Sequence, residues 1–117
     1  MKRIVFVDDD NFNRFMYETK LRENQDVCFK IFGTPEDALI YIKSNPDDID
    51  VILTDYMMPN VNGGELISQA KELLGSRNIE YLIHTSVPSD VEVEKYGLHG
   101  IVYKKFQDPY FSGNRKL

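Results

Sequence analysis

The sequence predicts an α/β domain in which an open parallel sheet is covered by helices on both faces. Three observations carry that prediction. Short apolar runs recur along the 117 residues, at 3–7 (RIVFV), 27–32 (VCFKIF), 51–53 (VIL), 81–84 (YLIH) and 100–103 (GIVY). Between them lie stretches with helical apolar spacing or with helix start and stop signals, so strands and helices alternate. The third observation is polar: one run after another ends in a residue able to do chemistry, Asp8 and Asp9 after the first, Asp55 after the third, Thr85 after the fourth and Lys104 after the fifth. In sheets of this kind ligands bind outside the carboxyl ends of the strands, near the point where strand order reverses.

Taken in order, the first run breaks into Asp8-Asp9-Asp10. Three adjacent acids repel one another unless a cation is near. Asn11 or Asn13 is then positioned to cap a helix to about Asn24, with Phe12, Phe15, Met16 and Leu21 as its core positions. The second run carries the lone Cys28, read as a small buried hydrophobe, and closes at Gly33. Thr34-Pro35-Glu36-Asp37 is a helix start with Thr34 as N-cap, Pro35 at the first helical position and acids in the first turn. Ala38, Leu39 and Ile42 form its buried stripe, and Asn45-Pro46 stops it.

The third run is apolar throughout, as a strand buried on both faces is, and delivers one carboxylate, Asp55. Asn62-Gly63 then turns the chain into an amphipathic helix from Gly64 to about Gly75, with Leu66, Ile67, Ala70, Leu73 and Leu74 on one face. After the fourth run, Pro88-Ser89 with Glu92 opens a helix of only about two turns before Gly97. Residues 106–117 contain Pro109 and Gly113 and no helical stripe, and read as an irregular tail. The second strand supplies no polar end group and is the natural edge.

Length bounds the chain to one domain, 1–117. One cysteine excludes an internal disulfide, no run approaches the ~18 apolar residues of a membrane span, and no leader pattern opens the sequence, so a cytoplasmic location is expected. A net charge of −5 with no basic block beyond Arg115-Lys116 argues against direct binding to nucleic acid. His84 and His99 are too isolated for a transition-metal site.

Three carboxylates, Asp8, Asp9 and Asp55, facing one another suit a hard divalent cation with oxygen ligands, and Mg2+ fits a site of one or two direct carboxylates, a carbonyl and waters. Lys104 and Thr85 opposite them supply a cation and a hydroxyl donor, the partners of a phosphate. Metal on one side, Lys and Thr on the other and a carboxylate between describe phosphoryl transfer onto Asp55.

These residues carry a resemblance. VDDD at 7–10, LTDYMMPNVNG at 53–63, HTS at 84–86 and YKKF at 103–106 resemble the signatures of response-regulator receiver domains, over roughly the first nine-tenths of the chain. The resemblance implies a flavodoxin-like five-stranded sheet of order 2-1-3-4-5. It implies that Asp55 accepts phosphate from a histidine kinase or histidine phosphotransfer protein and that the signal passes to a downstream protein target. It implies that Asp9, Asp55 and the Met57 main-chain carbonyl hold Mg2+ with Asp8 acting through water, that Lys104 pairs with the phosphoryl group and that Thr85 moves to bond it.

The chain also departs from the family pattern. Ile101 stands three before the lysine, where the family has its switch aromatic, and Tyr103 has the other strand parity. Ser86 replaces the usual alanine. The stretch from Thr85 to Lys104 is a few residues short, consistent with a short fourth helix, and the tail leaves the fifth helix missing or irregular. An uncovered fifth strand predicts self-association, a homodimer in the simplest case, through that strand and the tail. Two other functions compete. A receiver-like module could signal by docking alone. A haloacid-dehalogenase-like phosphatase would use Asp8 as nucleophile, although Phe12 stands where that family has a small β-branched or hydroxyl residue. A flavin-binding flavodoxin is disfavoured by acids in the loop after the first strand.

Overall fold

The structure, a computed structural model, describes residues 1–85 and 93–103, with backbone alone at 93, 94 and 100–103. Its strands are β1 (Lys2–Val7), β2 (Val27–Phe32), β3 (Val51–Asp55), β4 (Glu80–Thr85) and β5 (Gly100–Tyr103). They form one parallel sheet of order β2-β1-β3-β4-β5. That is the expected flavodoxin-like order, with β2 at an edge and strand order reversing at β1 and β3. The helices are α1 (Asn11–Arg22), α2 (Pro35–Ser44), α3 (Gly63–Leu74) and a short α4 (Val93–Tyr96). The expected helix start at Pro88-Ser89, Lys104, the tail and the question of a fifth helix all lie outside the described residues.

Side-chain parity along the strands divides the core in two. Ile4 and Phe6 of β1, Val51 and Leu53 of β3 and Leu82 of β4 pack with Tyr17 and Leu21 of α1. Val5, Val7, Ile52 and Ile83 turn the other way, onto Ala38 and Ile42 of α2 and Leu66, Ile67, Ala70 and Leu74 of α3. Thr34 caps α2 through the Asp37 amide at 3.1 Å, with Pro35 at the start as its fixed φ favours. Asn62 and Glu65 close a reciprocal capping box on α3.

Two expectations are corrected. On α1 the inward residues are Tyr17 and Leu21, whereas Phe12 and Phe15 are 61% and 62% exposed. At about 100° per residue, these two phenylalanines lie on the side opposite Tyr17. Cys28 is exposed rather than buried. On this edge strand Val27, Phe29 and Ile31 face α1, so Cys28 and Lys30 take the other parity, where cover is thin.

Two clasps fix the ends of the layers. At the amino edge of the sheet, Arg3 donates from Nε and Nη2 to the two carboxylate oxygens of Asp50, at 3.0 and 3.1 Å. The Arg3 amide donates to the same carboxylate at 2.9 Å, and the Asp50 amide returns a bond to the Arg3 carbonyl at 2.8 Å. This pairing holds the Asp50 carboxyl below its ordinary range and raises the Arg3 guanidinium. On the α3 side, Lys71 Nζ donates to the carbonyls of Tyr96 and Gly97 at 3.0 and 2.9 Å. His99 exchanges two bonds with Tyr81: its amide donates to the Tyr81 carbonyl at 2.8 Å, and its Nδ1 accepts from the Tyr81 amide at 3.0 Å.

Candidate functional site

The parallel register brings the acids together. Val7 lies beside Thr54, so the next residues along, Asp8 and Asp55, emerge side by side at the carboxyl edge of β1 and β3. Asp55 is the last residue of β3 and lies beside His84 of β4, one residue before Thr85. Asp8, Asp55 and Thr85 are buried at 0%, 4% and 4% exposure, while Asp9 is exposed. Each of Asp8, Asp9 and Asp55 offers a carboxylate oxygen, and these atoms lie within 4.8 Å of one another. Like charges this close repel, and two of the groups are out of bulk water, so the cluster favours a cation.

Local structure holds each acid in place. Asp10 is the true N-cap of α1, in place of the expected Asn11 or Asn13: its Oδ1 accepts from the amides of Phe12 and Asn13 at 2.8 and 3.1 Å. The Asp10 amide in turn donates to Asp8 Oδ1 at 2.9 Å, and Asn13 Nδ2 donates to Asp8 Oδ2 at 3.2 Å. Arg14 Nη1 donates to the Asp8 main-chain carbonyl at 2.8 Å, and its other amino group to Asn11. Gly33 makes room for that guanidinium, because a Cβ there would stand 2.9 Å from Nη1.

After Asp55 the chain turns through Met57, 70% exposed, and Asn60, whose φ of 72° is in the left-handed region that asparagine tolerates. It re-enters at Gly63, whose amide donates to the Tyr56 carbonyl at 2.8 Å. Thr54 Oγ1 donates to the Asp55 carbonyl at 3.0 Å. The structure thus brings together Asp8, Asp9 and Asp55, with Thr85 at the same edge and Met57 in the adjoining loop. Lys104 lies outside the described residues.

Sequence reasoning missed Asn13 and Arg14 as parts of this site. A usable signal existed: Asn13 lies four residues before Tyr17 and eight before Leu21, hence on the inward face of α1 next to the acidic turn.

A family model described as "Response regulator receiver domain" matches residues 4–111. The chain belongs to that family. The receiver domain is 34% identical over 98 residues to a chain of Arabidopsis thaliana named as the two-component response regulator ARR13, a match covering 79% of this chain and 16% of the relative. It therefore spans about a sixth of that relative's length. Among solved structures, chemotaxis protein CheY4 of Vibrio cholerae superposes with a TM-score of 0.80 at 21% identity, covering 97% of this chain and 94% of that one. The receiver domain of the histidine kinase CKI1 from Arabidopsis thaliana, complexed with Mg2+ and BeF3−, gives a TM-score of 0.79 at 17% identity, covering 93% of this chain and 85% of that one. These structural likenesses establish the fold. The family match also decides against the phosphatase reading of Asp8.

Proposed function

We propose that this receiver domain, taken as one unit over 1–117, accepts a phosphoryl group on Asp55 in a two-component phosphorelay. The donor is a phosphohistidine of a histidine kinase or histidine phosphotransfer protein. A carboxylate oxygen of Asp55 forms the new P–O bond as the P–N bond breaks, and the donor imidazole keeps the electron pair and takes up a proton. The observation that carries this reading is the convergence of Asp8, Asp9 and Asp55 within 4.8 Å at the carboxyl edge of the sheet.

The donor set fits Mg2+: hard oxygen ligands, two of them buried, and an exposed loop at Met57 whose main chain adjoins Asp55. Asp9, Asp55 and the Met57 carbonyl would hold the ion, with Asp8 acting through water. When bound, Mg2+ supplies neutralisation of charge on the phosphoryl oxygens. Thr85 is the hydroxyl that bonds the transferred group, and Lys104 pairs with it. The use of Mg2+ is supported by the CKI1 receiver domain, which was crystallised with Mg2+ and BeF3−.

Output passes to a downstream protein target by altered contacts, and a homodimer through β5 and the tail is the simplest self-association. Net charge of −5 argues against direct contact with nucleic acid. Among the described residues no helix is long and apolar enough to cross a membrane.

The test is intact-mass measurement after incubation with Mg2+ and a small acyl phosphate. One phosphoryl group per chain is expected, lost in Asp55→Asn and in the presence of a chelator. Modification that persists in Asp55→Asn overturns the assignment, and a wild type that is never modified favours a module that signals by docking alone.

A further inference from the structure

The Asp8 carboxylate is fully buried, and among the described residues two donors of different kinds reach it. The Asp10 amide reaches Oδ1 at 2.9 Å, and the Asn13 side-chain amide reaches Oδ2 at 3.2 Å. The first donor comes with the turn, since nearly any residue at position 10 brings a main-chain N–H. The second depends on what stands at position 13. We infer that Asn13 is a positioning residue for the acidic site: it fixes the Asp8 carboxylate so that an oxygen stays within reach of Asp9 and Asp55, and does so without adding charge. The inference rests on the reading of Asp8, Asp9 and Asp55 as a Mg2+ site.

The location suits the task. Asn13 is half-buried in the first turn of α1, and that turn is anchored by the Asp10 cap and by Arg14 on the Asp8 carbonyl. One and two turns further along, Tyr17 and Leu21 lock the same face of the helix into the core. The amide is thus presented from a rigid element, as an outer-sphere donor must be if it is to orient a ligand. Its chemistry also suits. A lysine at this position would bring its own cation and compete with the ion. An apolar residue would withdraw a donor from a buried carboxylate, which costs more than the same loss in water. A neutral amide lowers the repulsion within the metal-free cluster and leaves the site's negative charge intact.

The test uses the full chain. Calorimetric titration with Mg2+ is run on wild type, Asn13→Leu, Asn13→Ala and Asn13→Gln, alongside melting of each protein without metal. Loss of the donor in Asn13→Leu and Asn13→Ala is expected to weaken Mg2+ binding about ten-fold, the usual scale for an outer-sphere partner, beside a smaller loss of metal-free stability from the weaker hold on the buried Asp8 carboxylate. Asn13→Gln, which keeps an amide, recovers part of the affinity. If Asn13→Leu fails to fold, Asn13→Ala decides, since alanine adds no bulk and is the best helix former. Affinity within two-fold of wild type in the donor-less variants overturns the inference and leaves the metal reading standing. A weakening matched by an equal loss of metal-free stability reduces Asn13 to a structural role and also overturns it. A wild type that takes up no Mg2+ overturns the metal reading, and this inference with it.

Discussion

Gly63 lies against the main chain of Asp55 so closely that a Cβ built on it would stand 2.3 Å from the Asp55 carbonyl oxygen and 2.9 Å from a methyl of Ile83. The loop that leaves the acid therefore returns to touch it. Alanine ordinarily favours a helix over glycine by up to about 1 kcal/mol. Here steric conflict wins, because the obstacle is backbone rather than the end of a flexible side chain. Gly63→Ala is expected to cost about 1–3 kcal/mol in urea unfolding and to slow phosphorylation of Asp55. An unchanged midpoint would mean that the helix start relaxes freely.

Asp55→Asn removes one of three crowded carboxylates. Without metal it is expected to stabilise the fold by about 1 kcal/mol, since Asp55 is buried and the repulsion poorly screened. Mg2+ should raise the melting temperature of wild type by mass action, and that of Asp9→Asn much less. Equal Mg2+ effects on wild type and Asp9→Asn in thermal melts would remove Asp9 from the ligand set.

The Arg3 clasp sets an acid limit. The hydrogen bond from Arg3 holds the folded Asp50 carboxyl below its ordinary value of 3.8. A depressed carboxylate contributes stability that is present above the unfolded value and is lost as pH falls through the folded one. Asp50→Asn should therefore melt below wild type at neutral pH, with the gap closing below about pH 4. Solvent exposure of both partners keeps the effect small. A gap that stays constant down to pH 2 would show that Asp50 acts by shape alone.

Lys71→Met keeps the aliphatic stem of Lys71 and discards its two bonds to the Tyr96 and Gly97 carbonyls. A cost of about 1–3 kcal/mol is expected, the scale of hydrogen bonds from a charged donor. Amide exchange at residues 96–99 should quicken more than in β1 or β3. Uniform acceleration across the sheet would argue that the clasp acts on global stability only.

Much of this architecture was legible because local signals agreed with tertiary need. Thr34-Pro35 marked the start of α2, Asn62-Gly63 the start of α3, and the apolar run at 51–53 the buried centre of the sheet. The acids were legible as a group because strand ends converge in a parallel sheet. α1 was misread for a related reason. Its inward face includes a polar residue, Asn13, which serves the acid turn, while Phe12 and Phe15 stand in solvent. Counting apolar residues therefore placed Leu21 correctly but took Phe12 and Phe15 for its companions. Cys28 misled because its apolar neighbours outweighed Lys30, which shares its face of this edge strand and marks that face as open to water. Gly63 as a contact of Asp55 could not be read at all, since closeness of two backbones leaves no periodic trace.

The segment from Tyr96 to His99 has a consequence for the order in which this chain assembles. Every group that receives it was synthesised earlier: Gly64, against which the Tyr96 ring packs, then Lys71, then Tyr81. As the chain leaves the ribosome, α3 and β4 can settle on the β1–β3 pair before this connector emerges. It arrives as a latecomer to a finished berth, which leaves β5, following it directly, beside the open edge of β4.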